Sequence, residues 1–225
     1  MIKRFPALTK RGIGVVLRPW LWSFRPLRKK DLALDPIIEF GKWFKRAKRC
    51  FWLEFPDAMC LSTVNQEGCA EGRMVLLKSF DHKGFVFYTN SLSVKGKSLE
   101  TKPYAALTFY WEALQRQVRI QGPVEKVTAK ESDDYFRTRW RTSQIGAWAS
   151  KQSEVLECRE ILEDRVREFR QKFKGQIIPR PAHWLGYRVI PEKIEFWKLR
   201  PNRLHDRFLY TRQKDGGWKL ERLYP

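Results

Sequence analysis

The chain has 225 residues, with 45 Lys+Arg against 25 Asp+Glu and a formal charge of +20. At this length a single domain is expected, burying roughly 70% of its unfolded surface without help from disulfides or metal. Apolar residues at 43% and aromatics at 14% exclude disordered, collagen-like and low-complexity classes, and no apolar run approaches the length of a membrane span.

The first 30 residues hold nine Lys/Arg (Lys3, Arg4, Lys10, Arg11, Arg18, Arg25, Arg28, Lys29, Lys30) and no Asp or Glu. The segment Gly12–Leu17 is too short for a signal h-region and ends at Arg18-Pro19. Residues 1–30 therefore read as a flexible basic arm, with a polyanion- or membrane-touching arm and a targeting segment as alternatives. Nucleic acid is the first partner suggested by such a charge. Without the arm the excess drops from 20 by nine to eleven, compatible with an enzyme that binds phosphorylated small molecules.

Asp35-Pro36 opens a helical pattern in which Ile37, Ile38, Phe40, Trp43, Phe44 and Ala47 recur at three-to-four spacing. After Phe55-Pro56-Asp57 the period changes to strand. Ala58–Val64 ends at the turn cluster Asn65–Gly68, Gly72–Phe80 reads as one strand closed by Asp81–Gly84, and Phe85–Thr89 is a third. Ser93–Thr101 reads as a short helix stopped by Pro103. Tyr104–Trp111 and Gln115–Val127 are two further strands. In the latter, Gln117, Arg119 and Gln121 alternate with Val118 and Ile120, giving one polar face.

Thr128 with Glu131 is a capping-box signature for a helix to about Trp140. A longer helix is expected after Ser153, with Val155, Leu156, Ile161, Leu162, Val166 and Phe169 apolar. Trp184–Ile190 and Lys193–Trp197 read as a hairpin around Pro191-Glu192, and Asp206–Thr211 with Gly217–Leu223 as another around Asp215–Gly217. Successive hairpins with helices inserted late favour a mainly β, antiparallel barrel with accessory helices over a doubly wound parallel sheet.

Phosphate loops of the G-x-G-x-x-G and Walker types, G-x-S-x-G and H-E-x-x-H do not occur. The histidines His82, His183 and His205 are not spaced as a pair, so no metal site is expected. Cys50, Cys60, Cys69 and Cys158, at spacings of ten, nine and 89, fit neither a zinc site nor a disulfide framework. They are expected as free thiols in a reducing cytoplasm.

Four segments place polar groups where a barrel should be apolar. In Arg73-Met74-Val75-Leu76-Leu77-Lys78, alternation puts Arg73 with Val75 and Leu77, and Lys78 with Met74 and Leu76. Cations at both ends of a buried strand require anionic partners, unless they simply snorkel to water. Tyr135, Arg139 and Ser143, four residues apart, stack on one face if the helix extends through them, a trio of donors suited to phosphate. Ser143–Ser153 has neither helical nor strand period and reads as a long functional loop. Glu195-Phe196-Trp197 and Arg203-Leu204-His205-Asp206-Arg207 gather a Trp, a His and two Arg, or else mark a cation-rich sheet edge.

Taken together and in this order, these segments resemble the pyridoxine/pyridoxamine 5′-phosphate oxidase family. The resemblance runs from about Leu27 to Pro225 and includes Phe87-Tyr88-Thr89-Asn90, Arg116-Gln117-Val118 and Trp218–Leu223. It implies an FMN-binding split-barrel domain over residues 31–225 that works as a homodimer with flavin at the subunit interface. The implied reaction oxidises pyridoxine or pyridoxamine 5′-phosphate to pyridoxal 5′-phosphate. Hydride passes from C4′ to flavin N5, O2 is reduced to H2O2, and the amine substrate releases NH3. Neither a specific nucleic acid partner nor a membrane span is implied.

Residue by residue, the resemblance assigns flavin binding to Arg73, Met74, Val75, Leu76, Leu77, Lys78, Tyr88, Thr89, Lys95, Gln117, Gln152, Ser153, Trp197 and Arg207. Arg73 and Lys95 would meet the flavin phosphate, and Gln117 the isoalloxazine edge. Substrate phosphate would meet Lys78, Tyr135, Arg139 and Ser143, while Arg203, Leu204 and His205 would lie at the pyridine ring, with Arg203 and His205 as catalytic candidates. Three departures stand out. Val94 replaces the Arg of a Ser-Arg-Lys triplet, Trp140 replaces a Pro, and the family's N-terminal lid segment is not recognisable in residues 1–27. A split-barrel flavin oxidase with another substrate, a phosphate-ester binder and a nucleic-acid binder are the alternatives.

Overall fold

The computed structural model describes residues 25–225; residues 1–24 of the basic arm lie outside the described residues. The chain divides into two compact units, one of residues 25–57, 108–119 and 193–225, the other of residues 58–107 and 120–192.

In the first unit, helix α1 (Pro36–Lys48) starts where the sequence places it. The Asp35 carboxylate accepts the Ile37 N–H at 2.7 Å, and Pro36 lacks the N–H that would otherwise need a partner there. Its apolar stripe, Phe40, Trp43, Phe44 and Ala47, is buried. Phe40 packs on Phe109 at 5.1 Å between ring centroids, Trp43 meets Phe196 edge-on at 5.0 Å, and Phe196 meets Tyr210 at 5.6 Å. Each such aromatic contributes about 2–3 kcal/mol by leaving water.

The strands of this unit are β8 (Lys193–Lys198), β9 (Asp206–Arg212) and β10 (Trp218–Leu223), with the second half of β5 (Tyr104–Trp111) and the first half of β6 (Arg116–Lys126). Their order is β10-β9-β8-β6-β5. The β9–β10 hairpin turns at Gly216, whose φ of +85° favours glycine. The last residues of the arm dock here: Leu27 N–H donates to Asp206 Oδ2 at 2.9 Å, and Lys198 Nζ donates to Arg25 O at 2.7 Å.

The second unit contains β1 (Ala58–Val64), β2 (Ala70–Leu76), β3 (Ser79–Asp81), β4 (Gly84–Asn90) and β7 (Trp184–Val189), with the other parts of β5 and β6. All ladders whose registers are known in both units are antiparallel. Four helices accompany them: α2 (Val94–Thr101), α3 (Ala129–Thr138), α4 (Arg141–Ala149) and α5 (Arg159–Lys172). Among the described residues no helix is long and apolar enough to cross a membrane.

Several expectations are corrected. Gly72–Phe80 is two strands, because β1 begins at Ala58 opposite Leu76 and offers no partner beyond it; Lys78 N–H bonds Val86 O on β4 instead. The strand is also not buried: Met74, Leu76 and Lys78 face outward. β7 and β8 do not form a hairpin. β7 pairs with β4 and β6, β8 with β6 and β9, and Ile190 and Glu192 donate to Pro123 O and Gln121 O.

Of the stretch 143–153 only residues 150–153 are irregular, since Arg141–Ala149 is helical with Ile145 and Ala149 buried at i, i+4. Ile145 joins a core cluster with Phe136, Phe173, Ile178 and Trp184. The helix expected after Ser153 begins only at Arg159 and leaves Val155 and Leu156 exposed.

Candidate functional site

The N-terminus of α2 is the first focus. Ser93 caps the helix by accepting the Gly96 N–H, and Lys95, on the first turn, curls back over it. Lys95 is only 8% exposed; its ammonium donates to Ser93 Oγ and to Gln152 Oε1, both at 3.1 Å. Thr89 donates to the same Gln152 oxygen at 3.4 Å, and Val94 N–H donates to Ser153 Oγ at 3.4 Å.

Burial, followed by the positive charge of Arg73, holds the Lys95 ammonium below the usual lysine range. Arg73 reaches in from β2 and donates to Thr63 Oγ1 at 2.7 Å and to Glu71 Oε2 at 2.8 Å. A buried ammonium close to an arginine and beside a helix N-terminus is an arrangement suited to a phosphate. A Cβ on Gly96 would lie 2.3 Å from Ser91 O, so the turn that presents these N–H groups is closed tightly around glycine.

The structure thus brings together five of the residues expected to bind flavin: Arg73, Thr89, Lys95, Gln152 and Ser153. They fit the phosphate end of FMN, with Arg73 and Lys95 as cations and Lys95 retaining one unused donor. Ser93 was not among the expected residues, although its place before Val94-Lys95-Gly96 is an N-cap signal. Of the remaining strand residues, Val75 is half-buried and Leu77 buried, whereas Met74, Leu76 and Lys78 are exposed.

A ring stack forms the second focus. Tyr88 lies 4.2 Å from Tyr135 and 5.1 Å from Trp184, all near-parallel, with Tyr135 and Trp184 at 6.0 Å. The Arg139 guanidinium sits 4.8 Å from the Trp184 ring and 5.7 Å from Phe136. Its Nη1 is buried without a hydrogen-bond partner, and burial lowers its pKa from the ordinary arginine value.

The expected single helix face of Tyr135, Arg139 and Ser143 does not exist. α3 ends at Thr138, Arg139 is extended (φ −74°, ψ 147°), and Ser143 belongs to the first turn of α4 behind Trp140, which is 84% exposed. Tyr135 and Arg139 are still brought to one place, since each lies against Trp184. Trp184 was not expected at this site, and nothing local in the sequence marks it.

The third focus lies in the other unit. Trp197 and Arg207 are direct cross-strand partners on β8 and β9. Arg207 donates to Glu195 through Nε (2.8 Å) and Nη2 (3.3 Å), and to Tyr224 O at 2.9 Å. Glu195, 6% exposed, also pairs with Arg119. The Glu195 hydrogen bond holds the Arg207 guanidinium above its ordinary pKa.

His205 packs on Trp197 at 4.6 Å, and its Nδ1 accepts the Arg200 N–H at 3.2 Å. Arg203 and Leu204 are exposed, and Asn202 and Arg203 both adopt positive φ (56° and 61°), a strained pair of the kind found at functional loops. Gln117 is half-buried on the polar side of β6.

The antiparallel strands and accessory helices make the fold an FMN-binding split β-barrel, as expected from the sequence. Residues 45–173 match the family model described as pyridoxamine 5′-phosphate oxidase, and residues 184–225 match the pyridoxine 5′-phosphate oxidase C-terminal dimerisation region. The chain is 53% identical over 199 residues to a pyridoxine/pyridoxamine 5′-phosphate oxidase of Myxococcus xanthus, covering 88% of this chain and 96% of that protein. A protein of the same name from Nostoc punctiforme is 52% identical over 204 residues, covering 91% of this chain and 95% of that one.

Among solved structures, PhzG from Burkholderia lata, in complex with tetrahydrophenazine-1-carboxylic acid, superposes with a TM-score of 0.82 at 30% identity, covering 90% of this chain and all of that one. A pyridoxamine 5′-phosphate oxidase-related, FMN-binding protein of Nostoc punctiforme shares the fold at a TM-score of 0.68, with 16% identity over 86% of this chain and all of that one. The chain belongs to the pyridoxine/pyridoxamine 5′-phosphate oxidase family, and FMN is its cofactor.

Proposed function

We propose that the protein oxidises pyridoxine 5′-phosphate or pyridoxamine 5′-phosphate to pyridoxal 5′-phosphate, as a homodimer with FMN at the subunit interface and O2 as electron acceptor. The observation that carries this reading is Arg139, whose buried Nη1 lacks a partner while its guanidinium rests on aromatic rings beside a tyrosine. A buried donor left open in this way suits a charged acceptor from outside the chain, and a phosphate ester supplies one.

FMN, when bound, supplies the acceptor at N5 for the C4′ hydride and returns the electrons to O2 as H2O2. Arg73 and Lys95 hold its phosphate, with Thr89, Gln152 and Ser153 completing the cradle. Met74, Val75, Leu76, Leu77 and Tyr88 line the cofactor. Gln117, Trp197 and Arg207 orient the isoalloxazine. Tyr135 and Arg139, with Lys78 and Ser143, grip the substrate phosphate. Arg203, Leu204 and His205 lie against the pyridine and set C4′ for transfer, where angstrom-scale misplacement is costly. Neither Arg203 nor His205 is required as an essential base. The unpaired thiols of Cys50, Cys60, Cys69 and Cys158 suit a reducing cytoplasm.

The test is aerobic turnover by the FMN-loaded protein. Pyridoxal 5′-phosphate formed from either substrate, with one H2O2 per product, is the expected result. A loaded protein that yields no product from either substrate would direct the search to a non-phosphorylated compound.

A further inference from the structure

Trp184 opens β7 and is buried at the centre of the second focus. Its indole is near-parallel to Tyr88 and Tyr135, meets Phe136 edge-on at 5.1 Å, and lies 4.8 Å from the Arg139 guanidinium. Its backbone is fixed as well. Arg180 donates to Trp184 O at 2.8 Å and to Asp133 Oδ1 at 2.7 Å, and Asp133 belongs to α3, the helix that carries Tyr135 and Phe136. One side chain therefore touches both the phenol and the guanidinium assigned to the substrate phosphate, from an element that supplies neither.

Arg139 follows the end of α3 in extended backbone, so helical spacing does not aim it. Ring faces hold a guanidinium by its π-system and leave its N–H edge available. A carboxylate in the same place would occupy those N–H groups and compete with the ligand. The partnerless, buried Nη1 of Arg139 fits the first arrangement.

We propose that Trp184 is a positioning residue for substrate phosphate: its indole holds Arg139 and Tyr135 in place and keeps the guanidinium donors open. The inference rests on the assignment of Arg139 and Tyr135 to that phosphate. Replacing the arene face should weaken phosphate-ester binding about tenfold, within the range of a desolvated cation–π contact, and leave the chemical step largely intact.

The experiment compares wild type with Trp184→Leu and Trp184→Phe, each loaded with FMN. In Trp184→Leu, KM for pyridoxine 5′-phosphate should rise about tenfold with kcat within about twofold of wild type and FMN content per chain unchanged; Trp184→Phe, which keeps a smaller ring face, should fall between. The dissociation constant of pyridoxal 5′-phosphate, read from its absorbance on titration, should rise by the same factor. If Trp184→Leu does not fold, Trp184→Met fills the space without a ring and takes its place.

Unchanged KM and pyridoxal 5′-phosphate affinity in a folded non-aromatic variant would overturn the inference. So would a loss confined to kcat and FMN content, which marks a purely structural tryptophan. The titration needs no turnover: a wild type inert towards both substrates would count against the proposed reaction, while the titration would still decide the role of Trp184.

Discussion

Glu195 and Arg207 form a two-pronged ion pair on neighbouring strands, Nε to Oε1 at 2.8 Å and Nη2 to Oε2 at 3.3 Å. Glu195 lies two residues before Trp197 and so shares its face of β8, where Arg207 stands opposite Trp197. The carboxylate thereby sets where a guanidinium assigned to the cofactor can point, and its second cation, Arg119, depends on it too.

Glu195→Ala removes the buried carboxylate from two partly exposed arginines and should cost about 1–2 kcal/mol of stability. Thermal unfolding of the purified variant checks this, with a lower Tm expected. FMN binding should weaken along with it, whereas Glu195→Gln, which keeps one acceptor, should lose less of both.

Lys95→Met removes the ammonium proposed to contact the flavin phosphate and should weaken FMN binding about ten- to a hundredfold, as read by quenching of flavin fluorescence. The pH dependence has a definite sign. Only the ammonium form attracts the phosphate, and burial beside Arg73 lowers the pKa of Lys95. Wild-type affinity should therefore begin to fall at a lower pH than an ordinary lysine would dictate, and the Lys95→Met variant should lack that fall.

Val94 begins α2 next to Lys95, is partly exposed, and donates its N–H to Ser153. An arginine there would add a cation to the cradle without displacing a buried side chain. Val94→Arg should tighten FMN about ten- to a hundredfold, the worth of one charge-assisted hydrogen bond. Unchanged affinity would count against the idea that Val94 weakens FMN binding.

Local signals made most elements legible. Asp35-Pro36, Ser93 and the Thr128/Glu131 pair mark helix starts, and Asn65–Gly68 and Asp215–Gly217 mark turns, all found where expected. What failed was non-local. Pro191-Glu192 has the composition of a hairpin turn, but β7 and β8 each prefer other strands. α4 has a glycine at its centre, no capping side chain and one buried i, i+4 apolar pair, too little to show a period. The cradle residues Arg73, Thr89, Lys95 and Gln152 were reached through family motifs, since Gln152 lies 57 residues from the lysine it contacts. Trp184 escaped altogether because its importance lies in which rings surround it.

Lys198 gives a pH-dependent stability effect. It is 6% exposed, and burial, followed by the charges of Arg116 and Arg200, lowers its pKa to about 8 despite Asp206. Between that value and 10.5 the folded protein binds fewer protons than the unfolded chain, so rising pH through this window adds stability. Below pH 8 the ammonium is charged in both states and the full burial cost is present, at most about 3 kcal/mol. Lys198→Met, which forfeits the hydrogen bond to Arg25 O, should be about 1–2 kcal/mol more stable than wild type at pH 7. That advantage should vanish towards pH 10.5 in denaturant titrations.

The most direct test of the proposed oxidase is anaerobic mixing of the FMN-loaded protein with pyridoxine 5′-phosphate while the flavin absorbance is followed. Bleaching within the mixing experiment, recovery on admitting air, and one pyridoxal 5′-phosphate per flavin reduced are expected. A flavin that stays oxidised with both pyridoxine 5′-phosphate and pyridoxamine 5′-phosphate would contradict the account.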